Sequence, residues 1–177
     1  MFIRSRQLER GLDIAEALAS DEQVGSVFRA RGLHASADIQ WMLGNVDLAH
    51  TLFRSMERLP IDLPTKRRIM VSAYATSPDR ANQVREGIRE YLQWRPRPGD
   101  LKGEASTQYL RYLHAAHSQD PVIAYLLARR EGGLGNHEKA ISMYTSALNH
   151  ALPTRQLIRE AHLQLAHAYR RQGVLDT

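Results

Sequence analysis

Apolar residues recur along the chain at intervals of three and four positions, with polar residues between them. Leu48, Ala49, Leu52, Phe53 and Met56 show this spacing within one short segment. Such a period places one apolar stripe on the face of a helix, so the pattern predicts an all-α protein. About nine helices are expected, near residues 4–19, 22–43, 46–58, 65–76, 79–94, 103–117, 121–134, 137–150 and 154–172.

Proline and small polar residues mark the breaks between these segments. Asp120-Pro121 is expected to start a helix, because Asp caps a first turn and proline is tolerated there. The sequence Ser77-Pro78-Asp79 is expected to end one helix and begin the next. Residues 95–100 (Arg-Pro-Arg-Pro-Gly-Asp) cannot be helical and form the longest break, which is a candidate kink between two halves.

One spacing occurs twice, as Gly-Asn-x-x-x-Ala-x-x-x-aromatic-x-Ser at residues 44–55 and 135–146. Self-similarity of this kind indicates a helical repeat protein. Two helices approach closely only where side chains are small, so Ala128, Ala140 and Ala147 are expected at the contact of a helix pair. Gly135 is expected to adopt the left-handed conformation that commonly ends a helix.

Residues 121–154 resemble the tetratricopeptide (TPR) repeat, in which large and small apolar residues alternate at fixed offsets over about 34 residues. The residues that carry the resemblance are Leu127, Ala128, Gly135, Ala140, Tyr144, Ala147 and Pro153. Residues 25–60 match in part, and residues 61–118 are helical but degenerate. Leu165, Ala166, Tyr169 and Gly173 restart the pattern, so residues 155–177 are either a capping helix or the start of a further repeat.

The resemblance implies a right-handed α-solenoid of antiparallel helix pairs over residues 1–177, as a single TPR-like domain. In that family the first helix of each pair lines a concave groove that receives a segment of a partner. The matching positions here are Tyr125, Arg129, Leu163, His167 and Arg171, with His34, Asp38 and Trp41 added by the weaker match. Trp41 is also open to the simpler interpretation of core packing.

Basic residues outnumber acidic ones, giving a formal net charge of +5, and almost all of them are arginine. This is compatible with an acidic partner, a nucleic acid or an anionic membrane surface. A plain solvated face is the simpler and preferred interpretation, because acidic residues are interspersed with the basic ones. Together with the mixed basic and aromatic groove, the charge suits an acidic or amphipathic segment of a partner protein.

The residues give little support for catalysis or for a bound cofactor. The chain has no cysteine, and His114 and His117, although three residues apart, lack a carboxylate at a matching offset. Gly132-Gly133-x-Gly135 precedes a helix but lacks the Gly-Lys-Ser/Thr ending of a phosphate-binding loop. No catalytic, cofactor-binding or metal-binding residue is therefore predicted.

Two functions from different classes remain. The first is a non-enzymatic protein-interaction scaffold, placed in a bacterial envelope, secretion or polysaccharide-export assembly. The second is a basic helical-repeat module that binds nucleic acid or acts in regulation. No apolar stretch suits a signal peptide or a membrane span, and the compartment, cytoplasmic or periplasmic, stays open. Self-association is also left open by the sequence.

Overall fold

The computed structural model describes residues 2–57, 59, 61–94 and 103–173, with side chains described from residue 6 onward. Within those ranges the chain forms nine α-helices and no strand, which confirms the predicted all-α class. In chain order they are α1 (Phe2–Ser20), α2 (Ser26–Leu43), α3 (Val46–Met56), α4 (Leu63–Ala75), α5 (Asn82–Leu92), α6 (Glu104–Ala116), α7 (Pro121–Gly133), α8 (His137–Asn149) and α9 (Arg155–Arg171).

Two compact units make up the chain, Met1–Arg85 and Glu86–Thr177. In the first unit α1 packs on α2, α2 on α3, and α3 on α4. In the second unit α6 packs on α7, α7 on α8, and α8 on α9, with a smaller contact between α7 and α9. Consecutive helices therefore pack against each other within each unit. The candidate kink at residues 95–100 lies outside the described residues.

Polar caps begin several helices where the sequence supplies them. The Asp120 side chain accepts a hydrogen bond from the backbone N–H of Ile123 at 3.0 Å, while Pro121 occupies the first turn of α7. The Thr154 hydroxyl accepts from the backbone N–H of Leu157 at 3.2 Å and starts α9. Each cap satisfies an N–H group that has no partner inside its own helix.

Helix α5 begins later than the sequence predicted. Its first residue is Asn82, whereas the segment around Pro78 forms a turn in which the N–H of Arg80 donates to the carbonyl oxygen of Ser77 at 3.0 Å. Helix α4 ends at Ala75, before Pro78. Pro78 does not begin α5, because residues 77–80 form this turn and the helix begins after it. The start of α2 is also later than expected, at Ser26.

The duplicated Gly-Asn element forms the same turn in both units. Asn45 Nδ2 donates to Gln40 Oε1 at 2.7 Å, and Asn136 Nδ2 donates to Glu131 Oε2 at 2.7 Å. The backbone N–H of each asparagine also donates to the carbonyl oxygen of that same partner residue, at 2.9 Å in both cases. The glycine before each asparagine has a positive φ, 90° and 84°, as glycine readily adopts. Each asparagine thus ties the new helix to the end of the preceding one.

Aromatic edge contacts recur inside the helix pairs at the same interval of 91 residues (34 to 125, 53 to 144). The His34 ring meets Phe53 edge-on, and Tyr125 meets Tyr144 edge-on, both with centroids 6.2 Å apart and planes at 63°. The three alanines predicted at helix contacts are fully buried: Ala128, Ala140 and Ala147. The α2–α3 and α7–α8 pairs therefore share one packing solution built from unlike residues.

Helices α1 and α2 approach closely at Gly32. A Cβ atom built there would lie 2.7 Å from the backbone nitrogen of Ala19 and 2.8 Å from the carbonyl oxygen of Ala15. Both distances are shorter than van der Waals contact, and both involve backbone that cannot rotate away. Glycine at this position therefore sets how near the two helices lie.

We predict that Gly32→Ala lowers the free energy of unfolding by about 1–3 kcal/mol, because the added methyl forces the two backbones apart. Gly11→Ala is the matched control, since its Cβ would meet only the flexible end of Ile39 at 3.3 Å. Thermal and urea unfolding of both variants measure the difference. Equal stability of Gly32→Ala and Gly11→Ala would contradict the close approach.

Candidate partner-binding site

In the first unit, the three residues predicted for the groove lie close to one another, with Trp41 buried and with His34 and Asp38 partly exposed. Trp41 is buried, 2% exposed, and meets Phe53 edge-on with centroids 6.0 Å apart. Asp38 accepts a hydrogen bond from Arg68 of α4 at 3.1 Å, and His34 Nε2 lies 3.9 Å from the same carboxylate. Two interpretations of Trp41 were open from the sequence, groove and core packing, and the buried ring fits core packing.

Burial lowers the pKa of His34, and the positive charge of Arg68 lowers it further, while Asp38 opposes both effects. The imidazole is therefore neutral near pH 7 in the folded chain, because its lowered pKa lies below an unperturbed value of about 6.5. Asp38 already has the guanidinium of Arg68 as its counter-ion. The cluster consequently serves the packing of α2 against α4 and offers little charge to a partner.

In the second unit, Tyr125 and Arg129 on α7 have different surroundings. Tyr125, which the resemblance assigns to the groove, is fully buried, and its ring packs edge-on against Tyr144. Arg129 Nε lies 3.7 Å from Glu160 Oε1 on α9, and the Arg129 side chain is 36% exposed. This ion pair joins α7 to α9, much as the pair of Asp38 and Arg68 joins α2 to α4, with the two charges exchanged.

The three residues predicted on α9 are all exposed and fall on neighbouring turns. Leu163 is 54% exposed, and His167 and Arg171 follow it at intervals of four residues. Arg159 precedes Leu163 by the same interval, so the four side chains run along the surface of one helix. Helix α9 therefore presents a large apolar side chain with Arg159 one turn before it and Arg171 two turns after it.

Sequence analysis missed the size of this basic face. Its exposed residues are Arg155, Arg159, His162, Leu163, Ala166, His167, Arg170 and Arg171. The one carboxylate of α9 is Glu160, which is only 8% exposed and faces Arg129. Within the part of the chain that the structure describes, the four exposed arginines of α9 form no ion pair. Their helical spacing was the signal that could have found them.

A second polar cluster links α6, α7 and α8. The Glu131 carboxylate, 2% exposed, accepts from Arg111 Nε at 2.7 Å on Oε1 and from Arg111 Nη2 at 3.1 Å on Oε2. Asn136 Nδ2 adds its bond to Oε2, and Arg111 also bonds Glu104 at 3.0 Å. Burial alone would raise the pKa of Glu131, but these hydrogen bonds and the charges of Arg111 and Lys139 outweigh it and leave the pKa lowered.

Beside this cluster lies a cleft of about 310 Å³ between the three helices. Its apolar wall includes Leu127 and Met143, and its rim carries Lys139 and Ser142. His114 also lines it, and burial lowers the pKa of that imidazole. A larger hollow of about 680 Å³ lies over α1, but the described residues that line it all belong to one exposed face of that helix.

The described residues contain neither a candidate metal cluster nor a candidate membrane-spanning helix. No cluster of three or more His, Asp or Glu side chains in these ranges could hold a metal ion. No helix among them is both long enough and apolar enough to cross a membrane.

Comparisons with protein-family models, with curated proteins and with solved structures each returned no match. The resemblance to TPR proteins therefore stays a prediction from the residues quoted above.

We predict that Arg111→Met lowers the free energy of unfolding by about 2–4 kcal/mol at pH 7, because a buried carboxylate loses its cation. Arg111→Met combined with Glu131→Gln should recover most of that loss, since glutamine occupies the equivalent place as Gln40 and bonds Asn45 there. Urea unfolding of the two variants measures both effects. No recovery in the double variant would show that the ion pair is not the cause.

The same pair makes a pH prediction. The pKa of Glu131 is lowered in the folded chain, so its stabilising contribution is present above the unfolded-state pKa of about 4.3 and is lost as the pH falls through the folded-state pKa. The Glu131→Gln variant should lose less stability between pH 5 and pH 3, to be measured by thermal unfolding at a series of pH values. Equal acid sensitivity of the two proteins would contradict the assignment.

Proposed function

We propose that the chain is a non-enzymatic protein-interaction scaffold, and that the exposed face of α9 binds an acidic, amphipathic segment of a partner protein. The observation that carries this proposal is a half-exposed leucine among arginines that have no counter-ion in the described structure. A partner segment with apolar and acidic positions on one face complements that arrangement.

Helix packing supports a repeat architecture for this scaffold. The α2–α3 and α7–α8 pairs have the same turn and the same aromatic contact, and each is followed by a helix that bonds back to the first member of the pair. We therefore propose a TPR-like right-handed array, in which α2 and α4 of the first unit and α7 and α9 of the second unit are first helices of their pairs. In such an array α9 belongs to the row of first helices that faces a ligand.

Electrostatics at α9 favour an anionic partner for a second reason. No acidic residue lies in the first turn of α9, so Arg155 adds its charge to the partial positive charge of the helix N-terminus. Unpaired like charges at this spacing repel one another by a few tenths of a kcal/mol per pair. A bound carboxylate would relieve that repulsion.

Nucleic acid is the second candidate partner, because the same arginines would also contact phosphates. Leu163 favours protein over nucleic acid, since a single apolar side chain in the centre of the face offers phosphates nothing. Among the aromatic residues of the second unit, Tyr125 packs on Tyr144, and Trp94 stacks on Tyr109 with centroids 6.0 Å apart. Tyr112 is exposed, but it lies on α6 and not on the basic face of α9. Protein is therefore the proposed partner class.

We expect the double variant Arg159→Glu/Arg171→Glu to lose the partner protein that the wild-type chain captures from extracts of its source cell. Reversal of two charges beside Leu163 replaces attraction with repulsion, which should weaken binding at least about tenfold. The matched control is Arg6→Glu/Arg10→Glu, which makes the same change on the exposed face of α1. Capture with and without nuclease is compared by mass spectrometry.

A photo-crosslinking amino acid at position 163, with one at the exposed position 48 as control, identifies what touches α9 directly. A protein crosslink at 163 that survives nuclease and is lost in the α9 variant supports the proposal. Nucleic acid crosslinked at 163, with capture that falls steeply between low and moderate salt, would replace it with the second candidate. Loss of capture in the α1 variant as well would show that net charge alone is responsible.

A further inference from the structure

We propose that the cleft between α6, α7 and α8 binds a small amphipathic carboxylate, with its hydrocarbon part against Leu127 and Met143 and its carboxylate beside Lys139 and Ser142. This site is lined by α6, α7 and α8, and it does not depend on the partner segment proposed for α9. It also differs from the first-helix groove that the TPR resemblance implies, because α8 supplies the rim.

Size and lining fit a small ligand. The cleft volume of about 310 Å³ lies at the lower end of the range of about 300–1,000 Å³ that small-molecule pockets occupy. Most of the lining surface is apolar, and Leu127, one of the lining residues, is only 4% exposed. A hydrocarbon chain of about six carbons would bury its surface there at the expense of water.

The charged residues of the cleft indicate that the head group of the ligand is negative. Glu131 is the one carboxylate in the lining, and Arg111 and Asn136 already occupy both of its oxygens. Lys139 is exposed at the rim and makes no hydrogen bond or ion pair to the described residues, although its charge reaches Glu131. A ligand carboxylate can therefore bond the Lys139 ammonium group without displacing an internal bond.

His114 supplies a further polar contact in the lining. Its Nε2 atom is buried and has no hydrogen-bond partner among the described protein groups. Burial lowers the pKa of this imidazole, so it is neutral near pH 7 and can donate or accept one hydrogen bond. A carboxylate oxygen or an amide N–H of the ligand would satisfy that atom, which favours a ligand that is polar at one end.

Two sources share this chemistry: a free short-chain carboxylate and the C-terminal residue of a peptide with an apolar side chain. Both place a carboxylate next to a hydrocarbon group of similar size. Hexanoate represents the first source, and N-acetyl-leucine represents the second. Hexylamine and N-acetyl-leucinamide match them in shape but lack the negative charge.

The experiment is a titration of the full chain with each of these four compounds, followed in ¹⁵N and methyl ¹³C NMR spectra. We expect saturable shifts at Ala115, Leu127 and Met143 with at least one of the two carboxylates, and none with hexylamine or N-acetyl-leucinamide. Tighter binding of hexanoate assigns a free carboxylate, and tighter binding of N-acetyl-leucine assigns a peptide terminus. Equal shifts from the amine or the amide, or no saturable shift from either carboxylate, would overturn the proposal.

Variants place the carboxylate within the cleft. Lys139→Glu should weaken carboxylate binding at least about tenfold, because it removes one charge-assisted hydrogen bond and adds repulsion. Lys66→Glu in α4 makes the same charge change in the other unit and should leave binding unchanged. Met143→Trp fills the apolar wall from a second side and should also block binding. Binding that survives both cleft variants would place the ligand elsewhere and contradict the assignment.

Discussion

The α2–α3 and α7–α8 pairs each depend on the asparagine that follows the helix-ending glycine. Its amide donates to the side chain of Gln40 in the first unit and of Glu131 in the second, while its backbone N–H bonds the carbonyl of the same residue. Two bonds from one residue fix both the direction in which the chain turns and the start of the next helix. The buried alanines and the edge-on aromatic contact lie between the two helices that this turn connects.

In the second unit this constraint extends to a third helix. Gln40 in the first unit is uncharged and needs no counter-ion. Glu131 in the second unit is buried and ionised, and Arg111 of α6 is its counter-ion. The exchange of Gln40 for Glu131 therefore converts a local cap into a bridge between α6, α7 and α8. The cleft beside that bridge follows from it, because Arg111, Glu131 and the nearby side chains form its polar edge.

The two units differ most in what they leave unpaired. Asp38 and Arg68 neutralise each other between α2 and α4, and His34 lies against them as a neutral ring. Between α7 and α9 the charges are reversed. Glu160 therefore pairs with Arg129 inside the contact, and the exposed charged side chains of α9 are all basic. The two units therefore have a similar internal ion pair but expose different charges. Our functional proposal concerns the second unit because arginines without a counter-ion in the described structure lie on the exposed face of its helix α9.

The sequence by itself determined the all-α class, the helix segments and the repeated Gly-Asn turn, because each is set by residues within one or two turns of each other. The exposure of Leu163, His167 and Arg171 could also be predicted from the sequence, because α9 is strongly amphipathic. The sequence could not distinguish groove residues from core residues on α7. Residues 121–128 are all buried, so no polar stripe among them marks an outer face. Only the tertiary structure buried Tyr125 and Trp41, paired Arg111 with Glu131, and created the cleft, since those outcomes depend on neighbours that no sequence period records.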